Sequence, residues 1–333
     1  MPAGRWQGHG FRLLITPVDD SPLKPADLHQ FLDDLRGMTA EECLEVKAVL
    51  RMRERQVLSD LFMREAESAV KACPHCDSFH IAKAGSKDGR QRFKCKACSK
   101  TFNALTGRPL ARLRKADKHI ENGQCMVEGL SIRKTARILG VSLPTAFLWR
   151  HRFLAAPRAV QPRQLTGVVE ADETFFLESF KGQRGGLPRP PKKRGMPASK
   201  AGLSVEQIPM LVARDRSSSA TLTAVLPSRK AKDIGDRLLP LLSTDSVLCS
   251  DGASAYRIIG KTKGIEVKST PAKKAAGVYH INNVNAYDSR LKSWMFRFKG
   301  VATKYLDNYL GWHRMIDKSA SLDVQVFLSA SFS

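Results

Sequence analysis

The chain has 333 residues, a formal net charge of +23 and 42% hydrophobic residues. This length predicts two or three domains with real cores, and the charge favours a polyanionic partner such as nucleic acid. We find no stretch apolar enough to span a membrane and no secretory signal at the N-terminus. The seven cysteines fit a reducing cytoplasm, and we expect Cys43, Cys125 and Cys249 to be buried thiols.

The sequence of residues 1–70 predicts an N-terminal helical region. It begins with a mixed, Pro-containing arm of roughly 25 residues, and the helical pattern follows that arm. Apolar side chains form one helical stripe that breaks at Gly37 and then resumes. The stripe consists of Leu28, Phe31, Leu32 and Leu35, then Cys43, Leu44, Val46, Val49 and Leu50. These helices suit either DNA contact or packing, and packing is the simpler interpretation.

Two Cys-x-x-Cys pairs, Cys73–Cys76 and Cys95–Cys98, carry the clearest chemical signal in the chain. Each pair presents two sulfurs from a tight turn, and together they supply the four thiolates of a tetrahedral structural Zn²⁺ site. The segment between the pairs contains two short strand patterns joined by Gly and Asp turn residues. Residues 71–104 therefore predict a zinc ribbon. The alternative is four free or disulfide-bonded cysteines.

Residues 105–156 predict a helix-turn-helix domain, because the segment from about 117 to 153 has the pattern of three short helices. Ser131 and Ser142 are placed to cap the second and third helices, and Pro144 lies in a first turn, where its missing N–H costs little. Gly140 begins the turn between these helices, and residues 143–152 form the candidate recognition helix.

We expect the exposed polar side chains of these helices to contact DNA, while Phe147 and Leu148 pack inward. The candidate contacts are Arg133, Lys134, Thr145, Arg150 and Arg152. An ordinary helical hairpin without DNA contact is the alternative interpretation.

A linker at 157–164 leads to a second domain at 165–318. Its pattern of strand, hairpin, helix, strand and helix is that of a ribonuclease-H-like α/β core. A basic insertion at 180–206 interrupts the domain and has no apolar period. We expect it to be a mobile loop that contacts DNA through Lys192, Lys193 and Arg194, although a merely solvated insertion has the same composition.

Two aspartates occupy strand positions that this topology makes neighbours. Asp172 lies inside the first strand, and Asp251 ends the fourth. Paired carboxylates bind Mg²⁺ or Mn²⁺, and two such ions about 4 Å apart activate water or a 3′-hydroxyl. Alternation is expected to place Glu170 and Glu173 on the opposite face of the strand. A turn at Asp251-Gly252 and a solvent-facing Asp172 are the structural alternatives.

The last predicted helix supplies a candidate third ligand, Asn285, with Lys292 two turns further along the same face as a phosphate contact. Asn285 is alternatively a helix cap. Asp288 carries a carboxylate on the same helix, but it does not have the two-turn spacing to Lys292.

Several motifs between roughly residues 70 and 315 make the chain resemble bacterial insertion-sequence transposases of the DDE superfamily, in the group with a zinc ribbon and an Asp-Asp-Asn triad. The matching runs include Phe93-Lys-Cys-Lys-Ala-Cys, Glu170-Ala-Asp-Glu-Thr-Phe-Phe, Ser250-Asp-Gly, His280-Ile-Asn-Asn-Val-Asn and Phe298-Lys-Gly-Val-Ala-Thr-Lys-Tyr-Leu.

The resemblance implies that Asp172, Asp251 and Asn285 form the triad for two Mg²⁺ or Mn²⁺ ions, with Lys292 beside it. It implies cleavage at terminal inverted repeats and joining of the freed 3′ ends to target DNA. It further implies a homo-oligomer on double-stranded DNA and a cytoplasmic, nucleoid-associated location. An amide at Asn285 binds metal but takes up no proton, and His280, the nearby base, is more often a structural hydrogen-bonding residue.

Two other functions fit parts of the same pattern. A zinc-ribbon and helix-turn-helix regulator would keep the DNA-binding modules and carry a catalytically inactive C-terminal domain. A structure-specific nuclease of the same fold would cut DNA without joining ends.

Overall fold

The computed structural model describes residues 24–183, 185–190, 198–199, 204–270 and 277–318. The predicted N-terminal arm, apart from its last residue or two, and the basic triplet Lys192, Lys193 and Arg194 lie outside the described residues. Contacts within the chain define two compact units, Met1–Glu54 and Arg55–Ser333. No helix in the described ranges combines the length and the apolarity needed to cross a membrane.

The first unit holds helix α1 (Pro25–Gly37) and the start of helix α2 (Ala40–Ser68). Thr39 and Glu42 form a reciprocal capping box at the start of α2, which explains the break after Gly37. Six side chains of the predicted apolar stripe are 37–67% exposed: Leu28, Phe31, Leu32, Leu44, Val49 and Leu50. Cys43 lies on this stripe and is exposed, so its predicted burial is wrong, whereas Cys125 and Cys249 are buried as predicted.

A small antiparallel sheet follows α2, in the order β1 (Ile81–Lys87), β2 (Arg90–Cys95) and β3 (Thr101–Asn103). The first two strands confirm the predicted hairpin, and β3 is an additional strand. Asp88 and Gly89 have φ of 52° and 72°, the left-handed pair that a tight two-residue hairpin requires.

Helices α3 (His119–Val127), α4 (Ile132–Leu139) and α5 (Leu143–Phe153) come next, after a 3₁₀ turn at Ala116–Lys118. Both predicted caps are present: Ser131 Oγ accepts the Lys134 backbone N–H, and Ser142 Oγ accepts that of Thr145.

The phase of α5 differs from the prediction. Its buried side chains are Ala146, Trp149, Arg150 and Phe153, which recur at helical spacing. Phe147 and Leu148 are exposed, so their predicted inward packing is wrong. Trp149 and Phe153 are the two large apolar side chains on the buried face of this short helix.

The second predicted domain forms a five-stranded mixed sheet in the order β6-β5-β4-β7-β8. Its strands are β4 (Val168–Leu177), β5 (Gln207–Asp215), β6 (Thr221–Val225), β7 (Val247–Ser250) and β8 (Glu266–Ser269). The first three pair antiparallel, and β7 is parallel to both β4 and β8. This arrangement confirms the predicted α/β class and the ribonuclease-H-like strand order, with β8 as an element that the sequence pattern did not reveal.

Helices cover both faces of this sheet. They are α6 (Ala155–Ala159), α7 (Ala231–Leu238), α8 (Ser254–Lys263), α9 (Asn282–Phe296) and α10 (Leu306–Lys318). One face of β5 packs Val212 with Tyr287 and Leu291 of α9, and the other packs Leu211 in a cluster with Tyr256 of α8.

The predicted linker at 157–164 is a packed junction. The Arg314 guanidinium on α10 donates hydrogen bonds to the carbonyl oxygens of Pro157, Arg158 and Val160. One hydrophobic cluster continues from Trp149 and Phe153 of α5 to α9 and α10. The helices α3–α5 and the sheet domain therefore share a core.

Substitution of Gly311 tests this junction. A Cβ at Gly311 would lie 2.5 Å from the Pro157 carbonyl oxygen and 2.6 Å from the Arg158 Cα, both backbone atoms that cannot swing aside. We expect Gly311→Ala to lower the free energy of unfolding by about 2 kcal/mol or more, measured by urea denaturation.

Gly185→Ala is the matched control, because nothing lies within 4 Å of its added Cβ. Its stability is expected to stay within about 0.5 kcal/mol of wild type. Equal stability of the two variants would contradict the close approach of α10 to α6.

Candidate active site and metal centre

The four cysteines of the ribbon converge. Their sulfur atoms all lie within 4.8 Å of one another, and the Cys73–Cys98 and Cys76–Cys95 Sγ pairs are each 3.7 Å apart. Four thiolates at 2.3 Å from a tetrahedral ion are about 3.8 Å from each other. The quartet therefore fits a structural Zn²⁺ with all four positions filled by protein.

Local backbone geometry builds each cysteine pair. Asp77 and Ser99, which follow the two pairs, adopt left-handed φ of 56° and 60° and so close both turns. The Cys98 backbone N–H points at the Cys95 sulfur 3.5 Å away, and this hydrogen bond lowers the pKa of Cys95. The turn thus favours the thiolate form of this cysteine, which is the form that binds metal.

A second candidate metal site lies where β4 and β7 run side by side. Their parallel register pairs Val168 with Val247 and Glu170 with Cys249. Continued by two residues, this register places Asp172 opposite Asp251. Paired residues of neighbouring strands are about 5 Å apart and point to the same face, so the two carboxylates meet at one edge of the sheet.

The surroundings of these carboxylates differ. Burial raises the pKa of Asp172 to about 6, and the negative charge of Asp251 raises it as well, against a hydrogen bond from the Glu173 backbone N–H. Asp251 is exposed, and its Oδ1 accepts the Ala253 N–H in a turn with Gly252 at φ 94°. A divalent cation binds favourably between two adjacent carboxylates, because its charge offsets their mutual repulsion.

The prediction that Glu170 lies on the face of the strand opposite Asp172 is wrong. Glu170 is two residues before Asp172, so strand alternation puts both on the same face, and Glu170 is fully buried there. Its Oε2 accepts the backbone N–H groups of Asn283 (2.8 Å) and Val284 (3.2 Å), and its Oε1 accepts the Asn283 side-chain amide (2.7 Å). Glu170 therefore caps α9, whose own N-cap residue contributes no side-chain hydrogen bond.

Two cationic or polar groups complete the surroundings of Glu170. Arg216 donates to its Oε1 from Nε at 3.0 Å and from a terminal nitrogen at 2.8 Å, and His280 Nδ1 lies 3.4 Å away. His280 is thus a structural hydrogen-bonding residue. Glu173 is on the opposite face as predicted, where it accepts the Tyr256 hydroxyl at 2.5 Å and pairs with Arg229.

Helix α9 presents the remaining predicted site residues. Asn285 and Lys292 are exposed, whereas Asp288 is only 8% exposed. At about 100° per residue the three side chains fall within about 60° of arc. The pKa of Asp288 is raised to about 7, mainly by burial. The positive charge of Lys292 lowers this pKa, and the negative charge of Asp172 raises it. The side of α9 that carries Asn285 thus lies near Asp172.

The predicted DNA contacts divide into two groups. Arg133, Lys134 and Arg152 are exposed, and Thr145 is half-buried with its hydroxyl 2.8 Å from that of Ser142. Arg150 is 1% exposed, and its guanidinium donates to the Leu130 carbonyl at 2.6 Å. A DNA contact by Arg150 is therefore wrong, because its position on α5 faces the core.

Substitution of Glu170 tests the cap of α9. Glu170→Gln keeps the volume but replaces an acceptor oxygen by a donor facing several N–H groups. We expect it to lower the free energy of unfolding by about 2–4 kcal/mol and to speed hydrogen exchange at the Asn283 and Val284 amides. Urea denaturation and exchange mass spectrometry measure the two effects.

Glu266→Gln is the control, since Glu266 pairs with Lys268 at the surface and such pairs contribute about 0–1 kcal/mol. A Glu170→Gln protein as stable as this control, with unchanged exchange, would contradict the capping role.

Substitution of a single ribbon cysteine tests the zinc site. We expect the wild-type chain to contain one Zn²⁺ by elemental analysis and Cys95→Ser to lose most of it, since structural zinc needs all four thiolates. Cys43→Ser, which removes an exposed thiol far along the sequence, is expected to keep its zinc. Equal zinc content in all three proteins would exclude the quartet as the ligand set.

Residues 164–312 match the family model of the ISXO2-like transposase domain. The chain is 28% identical over 248 residues to an uncharacterized protein in transposable element ISH50 of Halobacterium salinarum, covering 72% of this chain and 82% of the relative.

Two solved structures show more distant similarity. The catalytic core domain of BIV integrase is 13% identical with a TM-score of 0.28, covering 47% of this chain and 88% of that one. The simian T-cell lymphotropic virus intasome in complex with PP2A regulatory subunit B56 gamma is 10% identical with a TM-score of 0.31, covering 58% and 67%. The family match spans the five-stranded sheet and α9, so residues 164–312 are similar to a DDE transposase domain of the ISXO2-like type.

Proposed function

We propose that this chain is a DNA transposase that binds the terminal inverted repeats of an insertion sequence and catalyses divalent-metal-dependent cleavage and strand transfer. The observation that carries the proposal is the parallel register of β4 and β7, which ends at Glu170 and Cys249, two residues before Asp172 and Asp251, inside a domain similar to transposase domains. A paired carboxylate site on a chain of net charge +23 suits a polyanionic substrate that binds together with metal ions.

Asp172, Asp251 and the amide oxygen of Asn285 are the proposed ligands of two Mg²⁺ or Mn²⁺ ions. Such ions, when bound, activate a water or 3′-hydroxyl oxygen and stabilise the leaving oxygen of the phosphodiester. Glu170 holds the start of α9 against β4. We propose that this cap orients Asn285 toward the two aspartates. Lys292, two turns along α9, is proposed to contact a phosphate of the bound DNA.

The helices α4 and α5 are proposed to act as a helix-turn-helix that addresses the enzyme to its DNA ends. Arg133, Lys134, Thr145 and Arg152 are the contacts we propose, and we propose that the zinc ribbon adds further contacts to DNA. Because α5 shares its core with α10, DNA held by α5 would stay in a fixed relation to the carboxylate site. We expect the active form to be a homo-oligomer on double-stranded DNA.

Asp172→Asn tests the proposal. The purified chain is incubated with duplexes carrying the element's ends, with and without Mg²⁺, and the products are mapped on sequencing gels. We expect the variant to bind these ends like wild type but to cut them more than about 100-fold more slowly, because loss of even an outer-shell partner of a metal costs 10–100-fold. Asp307→Asn, an exposed carboxylate on α10, is the control with wild-type cutting.

The results separate the rival functions. Equal cutting by wild type and Asp172→Asn would contradict the site assignment. Specific binding without cutting by wild type would indicate a DNA-binding regulator. Cutting with no joined product from pre-cut ends would indicate a plain nuclease.

A further inference from the structure

Asp288 is a buried carboxyl group that the triad does not use. Only 8% of the residue is exposed, and its Oδ1 has no hydrogen-bond partner in the described part of the chain. Burying an ionisable oxygen without a partner costs free energy, and an apolar side chain would fill the same place on α9 without that cost. Packing alone therefore does not explain an aspartate at position 288.

The position of Asp288 is set by the way α9 packs on the sheet. It belongs to the buried stripe of α9 together with Val284, Tyr287 and Leu291, which form one cluster with Val212 of β5. Val212 is the register partner of Asp172, so the two side chains point to the same face of the sheet. Asp288 and Asp172 consequently lie on surfaces that face each other.

Electrostatic interactions agree with this placement. Burial raises the pKa of Asp288, and the charges of Lys292 and Asp172 both act on it. Asp172 in turn is influenced by Asp251. Asp172 therefore interacts electrostatically with Asp288 on one side and with Asp251 on the other.

We propose that Asp288 is a further carboxylate ligand of the catalytic metal site, acting beside Asn285 rather than in its place. The inference rests on the proposed function. Two divalent ions carry four positive charges, while Asp172 and Asp251 supply two negative charges and the Asn285 amide supplies none. Asp288 adds a third negative oxygen ligand of the kind that Mg²⁺ and Mn²⁺ prefer, and the metal is the missing partner of its buried oxygen.

The helical phase of α9 makes both ligands available to one site. Asn285 and Asp288 are three residues apart and lie about 60° apart around the helix axis. Asp288 occupies the side nearer the sheet, and Asn285 the side nearer solvent. One helix turn can therefore present an amide and a carboxylate to ions held between α9 and β4.

Mn²⁺ binding by the zinc-loaded full chain, measured without DNA by isothermal titration calorimetry, tests the proposal independently of activity. We expect Asp288→Asn and Asp172→Asn each to weaken Mn²⁺ affinity at least about tenfold. Asp307→Asn removes a carboxylate of equal charge from α10 and is expected to bind Mn²⁺ like wild type.

The outcomes distinguish a failure of the Asp288 proposal from a failure of the proposed function. Wild-type affinity in Asp288→Asn together with weakened affinity in Asp172→Asn overturns the role of Asp288 and leaves the proposed function standing. Unchanged affinity in both variants, or no Mn²⁺ binding by wild type, overturns the metal site itself and with it both inferences.

A second measurement guards against a folding defect. Mn²⁺ raises the melting temperature of any folded protein that binds it, so the shift on adding Mn²⁺ compares variants of unequal starting stability. We expect the shift to shrink in Asp288→Asn and in the smaller Asp288→Ser but not in Asp307→Asn. A full shift in either Asp288 variant contradicts the proposal.

Discussion

The buried carboxylate of Glu170 at the N-terminus of α9 is the interaction on which the candidate site depends. It accepts two backbone N–H groups of the helix and the hydrogen bonds of Arg216, so its charge is matched by the helix dipole and a guanidinium. β4 carries Glu170 and, two residues later, Asp172. α9 carries Asn283 and, two residues later, Asn285. One cap therefore aligns the strand that bears Asp172 with the helix that bears Asn285, the proposed third ligand.

The second constraint is the shared core between the helices α3–α5 and the sheet domain. Arg150 from α5 lies 5.3 Å from the centre of the Trp312 ring, and His151 stacks on Tyr305 at 4.0 Å. A buried guanidinium over an aromatic ring contributes more than an exposed one because it is desolvated. Arg150, which the sequence alone assigned to DNA contact, instead joins helices α3–α5 to the sheet domain. In the proposed transposase this connection links end recognition to cleavage.

Local patterns predicted much of this structure. The cysteine spacing, the serine caps and the glycine that ends α4 act within a few residues, and the strand order follows from alternating patterns and connection lengths. The Asp172–Asp251 pairing was also predictable, because two neighbouring parallel strands bring equivalent ends together. The position of Glu170 could have been read from simple alternation, since residues two apart in a strand share a face.

What the sequence did not reveal depends on contacts between distant segments. The phase of α5 follows from Trp312 and Phe298, over 140 residues away, whose rings make a buried Arg150 acceptable. An apolar pattern alone does not separate Phe147 from Trp149. In the same way, the burial of Asp288 follows from the packing of α9 on β5, which its three-residue spacing from Asn285 does not disclose. The apolar stripe on α1 and α2 is a different case. Its helical periodicity correctly predicted helices, but it did not predict which residues pack against their apolar side chains.

Anomalous diffraction at the manganese edge, from crystals of the full chain grown with Mn²⁺, tests the central claim most directly. The account predicts a peak at about 2.0–2.3 Å from carboxylate oxygens of both Asp172 and Asp251, on the face of the sheet covered by α9. Peaks only at other places on the chain, with the two aspartate carboxylates turned apart, would contradict it.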